Sequence, residues 1–227
     1  MQDFKKKLYR LEYKYGRYAI HNLMSYICVT MLAVYFLQML LRAPIIPFLS
    51  LSRGALLQGQ VWRLITFIFI PPISTPFFTL ISLYFYYFIG NSLEQQWGVF
   101  KFNLYYATGI IFAIIAALIS GYGTVTYLNL SLFLAFAQLF PDTQFMLFFF
   151  IPIKAKYLAY FNLFVFGIQF FMGGWSAKLA ILLAVANFLL LFGRDFIDGL
   201  RRFRKYNNAT RVNFRREMRE RDRRNRQ

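Results

Sequence analysis

Six stretches of this chain carry no Asp, Glu, Lys or Arg: Tyr18–Leu41, Pro76–Leu93, Phe102–Tyr122, Val125–Phe140, Tyr157–Met172 and Leu179–Phe192. No other feature restricts the fold as much, because lipid offers the backbone no hydrogen-bond partners. A chain at bilayer depth must satisfy its own N–H and C=O groups, as a helix or a closed barrel does. The runs mix Leu, Ile, Phe and Ala without the two-residue alternation of a barrel strand, so they predict helices. A crossing takes roughly 20 apolar residues, and several of these runs are shorter. With 59% apolar residues, 29 Phe and 16 Tyr, the expectation is an all-α integral membrane protein, a bundle of six transmembrane helices in one domain.

Charge sorts the two faces. If six spans alternate, both termini share a side with the second-to-third and fourth-to-fifth connections, and that side holds 22 of the 26 Lys and Arg. Arg42, Arg53, Arg63 and Lys178 remain on the other. Basic loops stay cytoplasmic, so both termini are expected in the cytoplasm. The first span follows a Lys-rich segment and no small-residue cleavage site comes after it, so it reads as a retained span. Within residues 1–17, Phe4, Leu8, Leu11 and Tyr15 recur every three or four positions among Lys and Arg. That spacing predicts an amphipathic helix in the membrane interface. Residues 18–196 are then the membrane domain and 197–227 a basic cytoplasmic tail. The last 27 residues carry 12 basic and 3 acidic side chains. Anionic lipid attracts such a tail by about 1 kcal/mol per basic residue near the surface. Arg-rich tails also fold on RNA, but the positive-inside bias already accounts for this one, so membrane lipid is the expected partner and nucleic acid is not. A single Cys28 excludes an intramolecular disulfide and a Cys-based zinc site.

Between the first two spans lies RAPIIPFLSLSRGALLQGQVWRLITFIFIPP, whose apolar run after Trp62 and Arg63 is too short to cross a bilayer. At about 0.8 kcal/mol per buried methylene, Ile45, Ile46, Phe48 and the FIFI run are expected to lie flat in the interface or against the bundle. Trp62 suits the headgroup level, and the planar fork of Arg63 can donate to several acceptors at once.

The motifs around this loop are more specific. GQVWRLIT, a span, and then GNSLEQQWGVFKFNLYYATG entering the next span together resemble the rhomboid superfamily of intramembrane serine proteases and its inactive Derlin members. LFPDTQFMLFFFIPIKAKYL is similar to the bacterial rhomboid segment joining the fourth span to the fifth. The resemblance runs from about Pro44 to Phe192. It implies that Trp62 and Arg63 form the first-loop motif, and that Glu94 and Gly98 mark the cytoplasmic end of the second span. Glu94 is then expected as a structural tie between the second and third spans.

Active rhomboids use a Ser–His dyad, with the serine in Gly-x-Ser-Gly near the outer end of the fourth span and the histidine on the sixth. Counting back from Leu139–Pro141 places Thr124, Val125, Thr126 and Tyr127 at that motif. Thr126 takes the nucleophile position, and bulky Tyr127 stands where a glycine belongs. The sixth span, WSAKLAILLAVANFLLLFGRDF, has no histidine. The one histidine, His21, sits at the cytoplasmic start of the first span, most of a roughly 30 Å hydrocarbon core from Thr126. A base must come within about 3 Å of the proton it removes. Lys178, at the outer head of the sixth span, is a replacement base on paper, since lysine serves when burial lowers its pKa. Lysine at a helix end snorkels to water, however, and Tyr127 crowds the place of an oxyanion hole.

Ser131 and Ala135 form a small-xxx-small pair on the fourth span, matched by Ala180 and Ala184 on the sixth, a pattern that favours close helix packing. Asn129, Gln169 and Asn187 are expected to make interhelical hydrogen bonds, because no acidic relay accompanies them. No metal-ligand cluster or phosphate-binding glycine loop is present, so no metal or cofactor is expected. The resemblance thus implies a rhomboid-like pseudoprotease with no catalytic residue. It would bind transmembrane segments of client proteins at the lateral opening between the second and fifth spans, in membrane protein quality control or trafficking. The alternative is a rhomboid-family serine-type endopeptidase working through Thr126 and Lys178. The wording of the fourth-to-fifth segment favours a bacterial plasma membrane, and the Derlin-like features leave the endoplasmic reticulum as the alternative.

Overall fold

A computed structural model describes residues 10–41, 44–72, 75–147 and 151–189; the basic tail, and Phe4 and Leu8 of the amphipathic segment, lie outside the described residues. Residues 10–15 are helical (α1) and tighten into a 3-10 turn at Gly16–Tyr18. The first span, expected from Tyr18, begins only at Leu23 and runs to Leu41 as α2. Two local causes delay it. Asn22 adopts φ 54°, a left-handed conformation that does not propagate a helix. The backbone of Ile20 is also bound to the Asn103 side chain, at 3.1 Å through its N–H and 2.9 Å through its carbonyl.

The first loop folds into α3 (Ile45–Leu49), β1 (Leu51–Ser52), α4 (Arg53–Leu57) and α5 (Arg63–Thr66), followed by a 3-10 turn at Phe67–Phe69. One side of it is driven into the protein: Leu51, Phe67 and Ile68 are buried, and the 3-10 turn packs on α2. The other side, with Phe48, Leu57, Val61 and Ile65, is exposed. A proline opens α6 (Pro76–Trp97), where its missing N–H costs nothing. This helix runs past the expected Leu93 to Trp97, which places Glu94 in its last turn. Gly98, at φ 87°, turns the chain directly into α7 (Val99–Ser120).

Then come β2 (Tyr122–Gly123), α8 (Thr126–Leu139), β3 (Gln144–Leu147), β4 (Ile151–Lys154) and α9 (Ala155–Met172), and last the apolar α10 (Trp175–Leu189). The described residues are mostly helical but not all-α. β1 pairs antiparallel with β2, Leu51 opposite Gly123, and β3 pairs with β4, Phe145 opposite Ile153. Extended segments at the bundle's ends must place their backbone groups somewhere, and short ladders do it.

Three helices, α2, α7 and α9, are long and apolar enough to cross a membrane. The 14 residues of α8 reach about 21 Å at 1.5 Å per residue, and α10 is also short. The 22 residues of α6 have the length, but Asn91, Ser92, Glu94, Gln95 and Gln96 make its last turns polar. At the centre stands α8, packed on α6, α7 and α9. Every residue from Ser131 to Ala137 is buried, the mark of a helix surrounded on all sides. Lipid is as apolar as leucine, so helices here are held by fit rather than by escape from water. Gly90 of α6 lies against Met24 of α2, and Gly109 of α7 against Leu128 of α8.

Candidate functional site

The start of α8 is capped by its own sequence. The Thr124 hydroxyl accepts from the Thr126 N–H at 3.2 Å and lies 2.8 Å from the Thr126 hydroxyl. Thr126 itself is exposed. Among the described residues no basic side chain bonds to its hydroxyl. Lys178, in the first turn of α10, is half-buried; its backbone N–H donates to the Gly174 carbonyl at 3.2 Å, and no hydrogen bond joins its ammonium to Thr126. The Tyr127 ring sits 6.0 Å from that of Phe166 on α9. Behind Tyr127 is a cavity of about 20 Å³ bounded by Gly109, Leu128, Ala180, Ala184 and Asn187. That is room for about one water molecule.

His21 is exposed at the far end of the bundle. Its neighbour Ile20 is bound to Asn103, whereas Thr126 follows the β2 segment beyond Ser120. The length of α7 from Asn103 to Ser120, about 26 Å at 1.5 Å per residue, therefore separates the histidine from the hydroxyl.

Below the cavity runs a buried polar network. The Tyr105 hydroxyl lies 2.9 Å from Ser131 Oγ, and Ser131 donates to the Leu128 carbonyl at 2.8 Å. Thr108 Oγ1 shares its proton between Asn187 Oδ1 at 2.8 Å and the Tyr105 carbonyl at 2.9 Å. Asn187 is 1% exposed and makes the interhelical bond predicted by its place in an apolar run. Gln169, by contrast, is exposed. Ser131 thus donates within α8 and accepts from Tyr105 on α7. Ala180 and Ala184 meet the Tyr127–Leu128 end of α8 across the cavity, whose lining includes neither Ser131 nor Ala135. A buried hydroxyl left without a partner is costly, and Ser131 supplies the acceptor for the buried Tyr105 hydroxyl. Tyr105 and Thr108 carry no signal in the sequence, being ordinary members of an aromatic and apolar run.

The first loop frames this corner. Arg63, only 8% exposed, donates through Nε to Gln60 Oε1 at 2.7 Å and through Nη1 to the carbonyls of Pro47 at 2.5 Å and Ser50 at 2.6 Å. A single side chain thereby closes the loop on itself, and Trp62 beside it stays half-exposed. The Thr66 hydroxyl adds a bond to the Leu49 carbonyl at 3.2 Å. From this knot β1 reaches β2, and the Arg53 N–H donates to the Gly121 carbonyl at 2.8 Å, so the loop fixes the turn that precedes Thr124.

At the opposite end Glu94 is buried, and its Oε1 accepts from the Asn22 N–H at 2.7 Å. The expected tie between the second and third spans runs instead to the start of the first. Asn103 links the third span to that same segment, through Ile20. Gly98 donates its N–H to the Glu94 carbonyl at 2.9 Å, closing α6 before the turn. Asn103 went unnoticed in the sequence because an Asn in a helix's first turns looks like an ordinary polar end.

Among the described residues no three of His, Cys, Asp or Glu gather as a metal would require. Chemically, the Thr126 corner holds a hydroxyl satisfied by another hydroxyl, an aromatic plug and a one-water cavity. Residues 25–192 match the model of the family described as eukaryotic integral membrane protein (DUF1751). No curated protein matches the chain. The chain belongs to that family and is an integral membrane protein.

Proposed function

We propose that this eukaryotic-type integral membrane protein is a rhomboid-like pseudoprotease, which holds the transmembrane segment of a client protein without cutting it. The observation that carries the reading is the bonding of Thr126. Acyl transfer needs a nucleophile with a base about 3 Å away and donors aimed at the developing oxyanion. Thr126 has Thr124 as its neighbour, Tyr127 occupies the adjoining space, and the chain's one imidazole is a helix length distant.

The alternating ends of α2, α6 and α7 fit a reading with six crossings. Asn22, Glu94 and Asn103 meet at one end, whereas β1 and β2 meet at the other. The distribution of Lys and Arg puts the Glu94 end, with both termini, in the cytoplasm. Domain limits at 17 and 196 follow from the same reading. The family's eukaryotic description favours the endoplasmic reticulum over a bacterial plasma membrane, and a role in membrane protein quality control or trafficking. The client's place is the seam between α6 and α9. Both pack on α8 and hardly on each other, and Phe78, Ile81, Phe164 and Ile168 are exposed on them. This assignment follows from likeness of fold, so it is tested directly.

The test is purified protein in liposomes with labelled transmembrane segments, carrying a photoreactive residue at Phe78 or Ile168. Crosslinked, intact client is expected. Cleavage by the wild type, lost on Thr126→Ala or Lys178→Ala, would establish the endopeptidase instead. Neither crosslink nor cleavage would sink both readings.

A further inference from the structure

The connection from α8 to α9 does more than reverse the chain. The β3–β4 ladder is stitched at its base: the Ala155 N–H donates to the Thr143 carbonyl at 2.8 Å, and the Lys156 N–H to the Pro141 carbonyl at 3.2 Å. Asp142 accepts from Lys154 at 3.0 Å and from Lys156 at 3.3 Å. The first turn of α9 is therefore fastened to the hairpin.

The hairpin in turn is fastened to α6. Alternation along β3 leaves Gln144 and Met146 exposed and sends Phe145 inward. Its ring lies 4.7 Å from Phe85 and 5.9 Å from Phe88 on α6, and 5.7 Å from Phe136 on α8. Phe85 also meets Phe133 at 5.7 Å, and Phe88 meets Phe136 at 5.8 Å. Phe145 thus completes a cluster of six rings, the sixth being Phe140 at 5.1 Å from Phe136, spaced as aromatic pairs prefer.

Among the described residues no strand ladder or ion pair holds the other end of α9, where Phe166 is buried with its ring 6.0 Å from that of Tyr127. Burial of α8 is interrupted toward its start, where Thr126 is exposed and Tyr127 and Leu130 half-buried between the buried Leu128 and Asn129, and unbroken from Ser131 to Ala137. On α6, the face that meets α8 through Phe85 and Phe88 continues toward Pro76 as Ile81 and Phe78, both exposed.

We infer that the β3–β4 hairpin is a strap: Phe145 ties the first turn of α9 to α6 and α8, shutting that end of the seam and making it the pivot. The opposite end, beside Thr126, is where α9 separates from α6. The strap is a property of the fold. Only its consequence, admission of a client helix from the Thr126 end, rests on the function proposed above.

The experiment uses the full chain in liposomes with its one cysteine replaced, Cys28→Ser. Spin-label pairs are placed at Tyr87 and Tyr157 near the strap, and at Phe78 and Ile168 at the far end. The strap pair is expected to give a narrow distance distribution and the far pair a broad one. Phe145→Ala should broaden the strap pair to the width of the far pair. A strap pair that stays narrow in Phe145→Ala, or is as broad as the far pair in the unaltered protein, overturns the inference. If Phe145→Ala fails to fold, Phe145→Leu decides: partial broadening supports the strap and none overturns it. Photoreactive residues at Phe78 and Tyr87 then test the consequence, with capture at Phe78 alone expected, and at both in the Phe145 variant. Absence of capture at either position counts against the client reading and leaves the spin-label result standing.

Discussion

Arg63 and Thr126 sit on neighbouring segments at the same end of the molecule, and their surroundings differ in kind. The Arg63 side chain makes charge-assisted bonds from a buried guanidinium to the loop's own oxygens. Around Thr126 the bonds join two exposed hydroxyls of the same turn, and the neighbouring space is filled by an aromatic ring. The first arrangement closes a loop, and the second pairs two hydroxyls beside an aromatic ring. Architecture and chemistry are separable even a few residues apart, because a loop's closure depends on local bonds while a dyad depends on two distant helices supplying matched groups.

The contrast is easiest to break at Arg63. Arg63→Ala would strand two carbonyls and the Gln60 side chain, each at about 1–3 kcal/mol. Loss of a monodisperse folded species in detergent is expected, and Arg63→Lys should recover little of it, because an ammonium lacks the fork. Normal melting of Arg63→Ala would mean the loop is held by burial alone. Next comes Gly109→Ala, whose new methyl would collide with Leu128 and approach Asn187. Overpacking of this kind costs about 1–3 kcal/mol, to be read as a lower melting temperature.

The Tyr105–Ser131 bond is smaller. Ser131→Ala and Tyr105→Phe should each cost about 1 kcal/mol, and together less than their sum, because they remove one shared bond. Strict additivity in the double variant would deny the bond. Thr126→Ala sharpens the comparison from the other side. An exposed hydroxyl bound to another exposed hydroxyl should leave stability within about 0.5 kcal/mol of the wild type when Thr126 is replaced.

The smallest effect belongs to Asp142. Hydrogen bonds from Lys154 and Lys156 hold its carboxyl below the usual carboxylate range. A depressed folded pKa stabilises the fold at pH above the unfolded value, about 3.9 for Asp, and this is lost as pH falls through the folded one. Because the group is exposed and screened, Asp142→Asn should melt only slightly below the wild type at neutral pH, and the gap should close as pH falls through the acid limb.

Much of this was legible in the residues. Uncharged runs announced helices because lipid leaves the backbone no other solution, and the ends of α8 and α9 fell within about two residues of expectation. Trp62 and Arg63 announced a held loop, since a guanidinium in an apolar segment must find oxygens. The start of α2 was misplaced because its break depends on Asn103, more than eighty residues away. The two short ladders were missed because two- and four-residue strands leave no periodic trace. Tyr105 was hidden for a related reason: in an aromatic-rich helix, nothing local distinguishes the ring that finds a hydroxyl from those that do not.

By itself, then, the sequence determined that this chain lives in a bilayer, that its uncharged runs are helices, and that no histidine shares a span with Thr126. Tertiary structure alone decided that Glu94 holds the first helix, that Ser131 turns to Tyr105, and that Phe145 straps α9 to α6. The reason is range. Helix formation in lipid is settled within a few turns by backbone hydrogen bonding, whereas each of these partnerships joins side chains far apart in the chain and exists only once the helices have packed.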